Sequence, residues 1–209
     1  MHDRFPDYDV LAKRDSQSWN DKTREVIDER LALKVPEGVL TALQLATLRQ
    51  VVRRICPDPP GRPPATTLAM VVDKISDDAS VGFRPAGLPR TAETWRRGLD
   101  ALEAEARARY GVAFGALTAE NADIVLRLVS LGDVAAPEWQ NLSPRQFWQW
   151  RLLPDCVTAH WSQPSLWSAM GFGGPAAPRG YVRTGLDRRD PWEAIEADEP
   201  LRGLPRHRA

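Results

Sequence analysis

Side chains able to carry chemistry are few in this chain, and their spacing is restrictive. Its three histidines are His2, His160 and His207. Two of them lie near the chain ends, so His160 is the interior group able to exchange protons near neutral pH. Asp155 precedes it by five residues, an offset that puts the two on different faces of a helix, so no relay between them is expected. An acid–base site would need Arg179 or Tyr181 to converge with His160 in a concave pocket. Beside Trp161, the more ordinary role for a helix histidine is a hydrogen-bonded packing residue. The two cysteines, Cys56 and Cys156, form no C-x-x-C motif and have no neighbouring histidine or basic cluster to lower a thiol pKa. They read as two buried thiols, with a mutual or intermolecular disulfide left open. No paired histidines or cysteines stand at metal-ligand spacing, and no G-x-S-x-G is present. Gly171–Ala176, GFGGPA, fits G-x-G-x-x-A in form. A dinucleotide fingerprint needs a strand before it and a helix after it. Here a tryptophan-rich helical pattern precedes, and Pro175 and Pro178 would interrupt a helix on the other side. Self-contained catalysis is not expected.

The same region suits contact rather than chemistry. Trp161–Arg183 reads WSQPSLWSAMGFGGPAAPRGYVR, an irregular segment dense in aromatics, glycine and proline. Ordered loops of this kind usually carry function. The expected partner-interface residues are His160, Trp161, Trp167, Gly171, Phe172, Gly173, Gly174, Pro175, Pro178, Arg179, Gly180 and Tyr181, with Trp192 as the one large anchor of the charged tail. Arg179 could make fixed hydrogen bonds to carbonyls or carboxylates. An exposed aromatic patch is expected around Trp167, Phe172 and Tyr181.

The elements that must position this segment read as amphipathic helices. Asn20 can cap a helix to about Leu33, with Val26, Ile27 and Leu31 on one side. Thr41 and Gln44 have capping-box spacing before a stripe of Leu45, Leu48, Val52 and Ile55. Pro57 ends that helix, and DPPGRPP is expected to be a stiff linker. Thr66 or Thr67 opens a helix carrying Leu68, Val71, Val72 and Ile75. Thr91 starts a helix with Trp95, Gly98, Leu99, Leu102, Ala106 and Tyr110 on its stripe, stopped by Gly111; Gly98 there predicts close helix packing. Thr118 caps a helix with Ile124, Val125, Leu128 and Leu131 on one face, stopped by Gly132. Ser143, Pro144 and Gln146 start another. Phe147, Trp150, Pro154, Val157 and Trp161 are expected on one face of it, across a kink at Pro154. Pro164 stops it, and a short turn comes next around Ser165–Met170. No alternating strand run of useful length is visible. The expected fold class is all-α: a helical domain over 19–183, an extended N-terminal arm over 1–18 anchored by Phe5, Tyr8, Val10 and Leu11, and a C-terminal arm over 184–209.

Composition narrows the classes. At 209 residues one good core is possible, and the formal charge is zero, which argues against a nucleic-acid binder. Eight tryptophans and eighteen prolines are many for this length, and tryptophan is enriched in interfaces. No window reaches a membrane span and no export signal opens the sequence, so a cytoplasmic location is expected, with the periplasm as the alternative if a partner carries the signal.

Two longer stretches, WRRGLDALEAEARARYGVAFGALT (Trp95–Thr118) and QPSLWSAMGFGGPAAPRGYVR (Gln163–Arg183), resemble the gluconate 2-dehydrogenase subunit 3 family. Phe5–Asn20 and the closing RRDPWEA look like one branch of it, so the likeness runs over nearly the whole chain. The resemblance implies a non-catalytic small subunit that binds a large flavoprotein of the glucose–methanol–choline type. FAD is then expected in the partner and no cofactor in this chain, with a cytochrome c subunit as an optional electron acceptor. The small subunit would help the large one fold, stay soluble or be exported. Two positions depart from the family pattern: Gln163 stands where it has a histidine, and Ala169 where it has a glutamate. Many relatives also begin with a twin-arginine signal that is not seen here. A free-standing helical binding or chaperone module remains the alternative.

Overall fold

Local capping chemistry sets several helix starts in the computed structural model, which describes residues 3–78, 84–176, 180, 194 and 195. The fold is all-α, with no strand among the described residues. A 3-10 turn at Val10–Lys13 precedes α1 (Asp21–Ala32), α2 (Ala42–Ile55), α3 (Thr67–Asp77), α4 (Thr91–Tyr110) and α5 (Ala119–Leu131). A short α6 (Pro144–Phe147) passes through a π turn at Trp148–Leu152 into α7 (Leu153–Trp161), and α8 (Pro164–Met170) comes next. The chain divides into two compact units, one of Ala32–Asp58 and Ala65–Gln163, the other of Met1–Leu31, Pro59–Pro64 and Pro164–Ala209.

The larger unit is built around α4, which packs with α2, α3, α5 and α6. Thr41 and Gln44 form both halves of the capping box at the start of α2. Thr118 Oγ1 and Ser143 Oγ each accept one free first-turn amide of α5 and α6, from Asn121 and Gln146. Gly111 and Gly132 end α4 and α5 at φ 71° and 74°, where a side chain would be strained. Leu48, Val71, Ile75, Trp95, Leu99, Leu102, Val125 and Phe147 are fully enclosed in one core. Gly98 has the packing its place on the stripe predicts, because a Cβ there would run into the Phe147 ring. That ring stands edge-on to Trp95 at 5.6 Å.

Three expectations are corrected here. The buried face of α5 is Ala122, Val125, Leu126 and Val129, while Ile124 and Leu131 are exposed. Both sets have helical spacing, and packing against the core selected between them. Likewise the buried residues along α6 and α7 are Phe147, Arg151, Leu152, Asp155, Cys156, Ala159 and His160, not the tryptophan face. Pro154 has no N–H for the Trp150 carbonyl; the π turn lets Leu153 N–H reach Trp148 O, and Arg151 Nη1 donates to Trp150 O at 2.9 Å. The extra residue per turn rotates everything after it. Pro164, finally, opens α8 and makes a helix of the expected turn.

The smaller unit gathers three separated stretches. Val10, Trp19, Ile27 and Trp167 form its core, with Tyr8 and Leu11 against them. Asn20 Oδ1 caps α1 by accepting from Thr23 N–H at 2.9 Å. Pro59–Pro64, expected as a spacer, contributes to this unit through Arg62. The guanidinium pairs with Asp3 at 2.7 Å, donates to Tyr8 O at 2.9 Å and also donates to Phe5 O. Arginine can hold three acceptors around one plane, which a bare polyproline spacer cannot.

Candidate functional site

Helix α8 ends in a Schellman motif, and that motif builds the glycine loop. Phe172 N–H donates to Trp167 O at 2.9 Å and Gly171 N–H to Ser168 O at 3.1 Å, with Gly171 at φ 67°. The hydrophobic contact that accompanies such caps is present: Trp167 and Phe172 meet edge-to-face at 5.5 Å and 86°. Trp167 is 5% exposed, so it serves as the base; Phe172, at 44%, is the ring on display.

Two glycines are required by close approach as well as by conformation. A Cβ on Gly171 would meet the Phe5 ring at 2.5 Å. One on Gly174 (φ 68°) would stand 3.2 Å from both Val10 Cγ2 and the Trp167 ring. Polar contacts pin the loop from the same side. Val10 N–H donates to Ser168 Oγ at 3.0 Å, and the Trp19 indole N–H to Pro175 O at 2.8 Å. The N-terminal stretch is thus the floor of the loop rather than a separate arm. Gly173 and Pro175 are half-buried in the same turn, and Gly180 has φ 75°. Pro178, Arg179, Tyr181 and Trp192 lie outside the described residues.

In the larger unit, His160 and Trp161 have different fates. His160 is 2% exposed, its Nδ1 lies 2.9 Å from Thr67 Oγ1, and its ring stands edge-on to Trp161 at 5.0 Å. Burial pushes its pKa below the ordinary value, against a smaller opposing pull from the Asp58 charge. It is a packing histidine and offers no surface to a partner; Trp161 is 43% exposed. The expected aromatic patch is therefore corrected at Trp167, and His160 is withdrawn from the surface, while Phe172 and Trp161 display their rings.

Asp155, set aside in sequence for its offset from His160, organises a different network. Its Oδ1 pairs with Lys74 Nζ at 2.5 Å and its Oδ2 accepts the Trp95 indole N–H at 2.9 Å. The pair borders an open groove of about 760 Å³ between α3 and α7, lined also by Met70, Asp73, Thr158 and Ser162. Both carboxylate oxygens are engaged, which makes Asp155 a tie between helices. Gln163 is buried too, accepting from Thr66 Oγ1 at 2.5 Å and donating to Met70 Sδ. Glu105, another buried carboxylate, accepts from the amides of Ala135 and Ala136 at 3.0 and 2.8 Å and pairs with Arg109. Cys56 and Cys156 are free and buried. Burial pushes the Cys56 thiol up to about 11 and raises Cys156 as well. Among the described residues no group of three or more His, Cys, Asp or Glu could hold a metal ion, and no helix is long and apolar enough to cross a membrane. GFGGPA comes after α8, not after the strand that a dinucleotide fingerprint needs.

Sequence reasoning missed Arg62, Trp19 and Ser168 as supports of the loop. One signal was available: Arg62 is the single charge among the prolines and glycine of Pro59–Pro64.

Fold and site together define an all-helical protein that presents a buttressed glycine and aromatic loop. A family model for gluconate 2-dehydrogenase subunit 3 matches residues 42–174, more than half of the chain, and the chain belongs to that family. The match runs from the start of α2 to Gly174, so it takes in Arg62 and the capped loop; Phe5–Asn20 and the closing RRDPWEA fall outside it. No curated protein and no solved structure matches the chain.

Proposed function

We propose that this chain is a small non-catalytic subunit that binds a large FAD-dependent dehydrogenase of sugars or sugar-like alcohols and stabilises it or helps it mature. Family membership points to a dehydrogenase complex. The observation that carries the reading is Phe172, exposed at the capped start of the glycine loop. An aromatic ring held in one conformation loses little entropy on binding, and such rings dominate interface energetics. The flavin would sit in the partner. A cytochrome subunit would be a further component where the electrons leave the complex.

The test is co-expression with a large FAD-dependent dehydrogenase from the same genome, then pull-down, flavin absorbance and dye-linked sugar oxidation. The dehydrogenase should co-purify, retain FAD and turn over only when this chain is present. Phe172→Ala should weaken the complex by roughly 30-fold, a hot-spot loss of about 2 kcal/mol, without unfolding the chain. A dehydrogenase that is soluble, flavin-loaded and fully active alone, with no complex formed, would refute the proposal.

A further inference from the structure

The loop's conformation depends on residues that cannot themselves be its contact surface. Val10 is 1% exposed and Trp19 is 2% exposed. The Arg62 side chain and its Asp3 partner are also largely covered, at 12% and 16%. Yet these groups, together with the half-buried Phe5, meet the loop, or the stretch beneath it, at both of its positive-φ glycines, Gly171 and Gly174. Phe5 lies against Gly171, Val10 against Gly174, Val10 N–H on Ser168 Oγ and Trp19 Nε1–H on Pro175 O. Arg62 gathers Asp3 and the carbonyls of Phe5 and Tyr8, so it holds the chain on both sides of the Phe5 ring. All of these contacts are internal to the smaller unit.

We propose that residues 3–19 form an intramolecular strap, fastened by Arg62, that holds the Gly171–Pro175 loop in the form that presents Phe172 to the dehydrogenase subunit. The partner-binding half of this inference rests on the function proposed above; the strap itself does not. Glycine is the reason a strap is needed. Gly171, Gly173 and Gly174 give the loop access to backbone conformations closed to other residues, so the free loop has more freedom to lose than an ordinary turn. The Schellman cap and the strap share its first two residues, with the Phe5 ring against Gly171 and Val10 N–H on Ser168, whose carbonyl accepts the Gly171 amide; the contacts from Val10 and Trp19 fix the rest. Arg62, Val10 and Trp19 are positioning residues: they act on the partner only through the loop. The strap lies before the residues matched by the family model, whereas Arg62 and the loop through Gly174 lie within them.

Hydrogen exchange on the isolated full chain tests the strap directly. Exchange is monitored at the amides of Val10, Gly171 and Phe172 in the wild type, Arg62→Ala, Arg62→Lys and Trp19→Phe. Arg62→Ala should speed exchange at these amides by about 10- to 100-fold, as expected for losing charge-assisted bonds. Core amides of α4 should keep their wild-type rates. Arg62→Lys should fall between, since lysine keeps the charge without the planar fork. Trp19→Phe keeps most of the ring and removes the N–H, so it covers the case in which Arg62→Ala does not fold. Binding of the dehydrogenase subunit to the same variants should fall by about tenfold, the scale of one lost ordering contact. Wild-type exchange in both Arg62→Ala and Trp19→Phe would overturn the strap, whatever the dehydrogenase does. Faster exchange with undiminished binding would overturn the positioning role. If the wild-type chain binds no dehydrogenase, the proposed function fails, and the exchange rates alone decide the strap.

Discussion

Replacing Gly98 by alanine sets two effects of opposite sign against each other at the centre of α4. Alanine in a helix interior is worth about 1 kcal/mol over glycine. The added methyl, however, would lie inside contact distance of three atoms of the Phe147 ring. That ring is fully buried, edge-on to Trp95 at 5.6 Å and tilted against Trp139 at 6.0 Å. It is rigid and enclosed, so it must be displaced by about 1 Å into neighbours that are themselves packed, an overpacking cost of roughly 1–3 kcal/mol. The net expectation is destabilisation by up to about 2 kcal/mol, or a Tm lower by up to about 8 °C for a chain of this size. Urea unfolding monitored by circular dichroism at 222 nm reads the change, and near-ultraviolet dichroism of Trp95 and Trp139 reports the local shift. Phe147→Leu supplies the control. Alone it opens a cavity; combined with Gly98→Ala the methyl fills part of it, so the double variant should be more stable than the sum of singles by at least ~0.5 kcal/mol. A Gly98→Ala chain more stable than the wild type by about 1 kcal/mol, or strict additivity with Phe147→Leu, would refute the packing argument.

Other perturbations act on the buried polar groups. Asp155→Ala strands the Trp95 N–H in the core while Lys74, 37% exposed, can turn to water; a loss of about 2–3 kcal/mol is expected in urea unfolding, and about half that for Asp155→Asn, which keeps an acceptor. The pKa of His160 is lowered in the folded chain, so below pH 6.5 the unfolded chain binds more protons and stability falls as pH falls. His160→Gln should flatten the urea midpoint between pH 6.5 and 5, and equal slopes in variant and wild type would count against the assignment. With Cys56 at about 11 and Cys156 raised too, both thiols should resist a disulfide reagent at pH 7.5 in the native chain and react promptly in urea. Prompt stoichiometric labelling of the folded chain would contradict their burial.

Most helix starts were legible because their causes are local. Thr41 with Gln44, Asn20, Thr118, Ser143 with Pro144, and the stops at Gly111 and Gly132 each act within one turn of chain, so a short window holds all the information. The faces of α5 and α7 were not legible in the same way. α5 carries two apolar sets at helical spacing, and the choice between Ile124–Leu131 and Ala122–Val129 belongs to the core that receives the helix. In α7 the π turn ahead of Pro154 changes the period, and a stripe counted at a constant 3.6 residues per turn lands on the solvent side. A packing role for His160 is legible from its place beside Trp161 in a helix, but its partner Thr67 stands far away in sequence.

The glycine loop divides the same way. Its composition marked it for contact, and the family likeness points to a dehydrogenase partner; both readings come from residues adjacent in the chain. Which ring faces outward came from elsewhere. Trp167 and Phe172 are both aromatic and five residues apart, and nothing between them tells the base from the ring on display. Val10, Trp19 and Phe5 decide it by covering one side of the loop, with Arg62 gathering the stretch that carries Phe5. Caps, turn glycines and helical periods are properties of a few consecutive residues, so the sequence by itself determined the all-α class and the place of the loop. Burial is a property of what arrives from far along the chain, so only the tertiary structure decided which faces are covered, which carboxylates are tied, and which aromatic rings are left exposed.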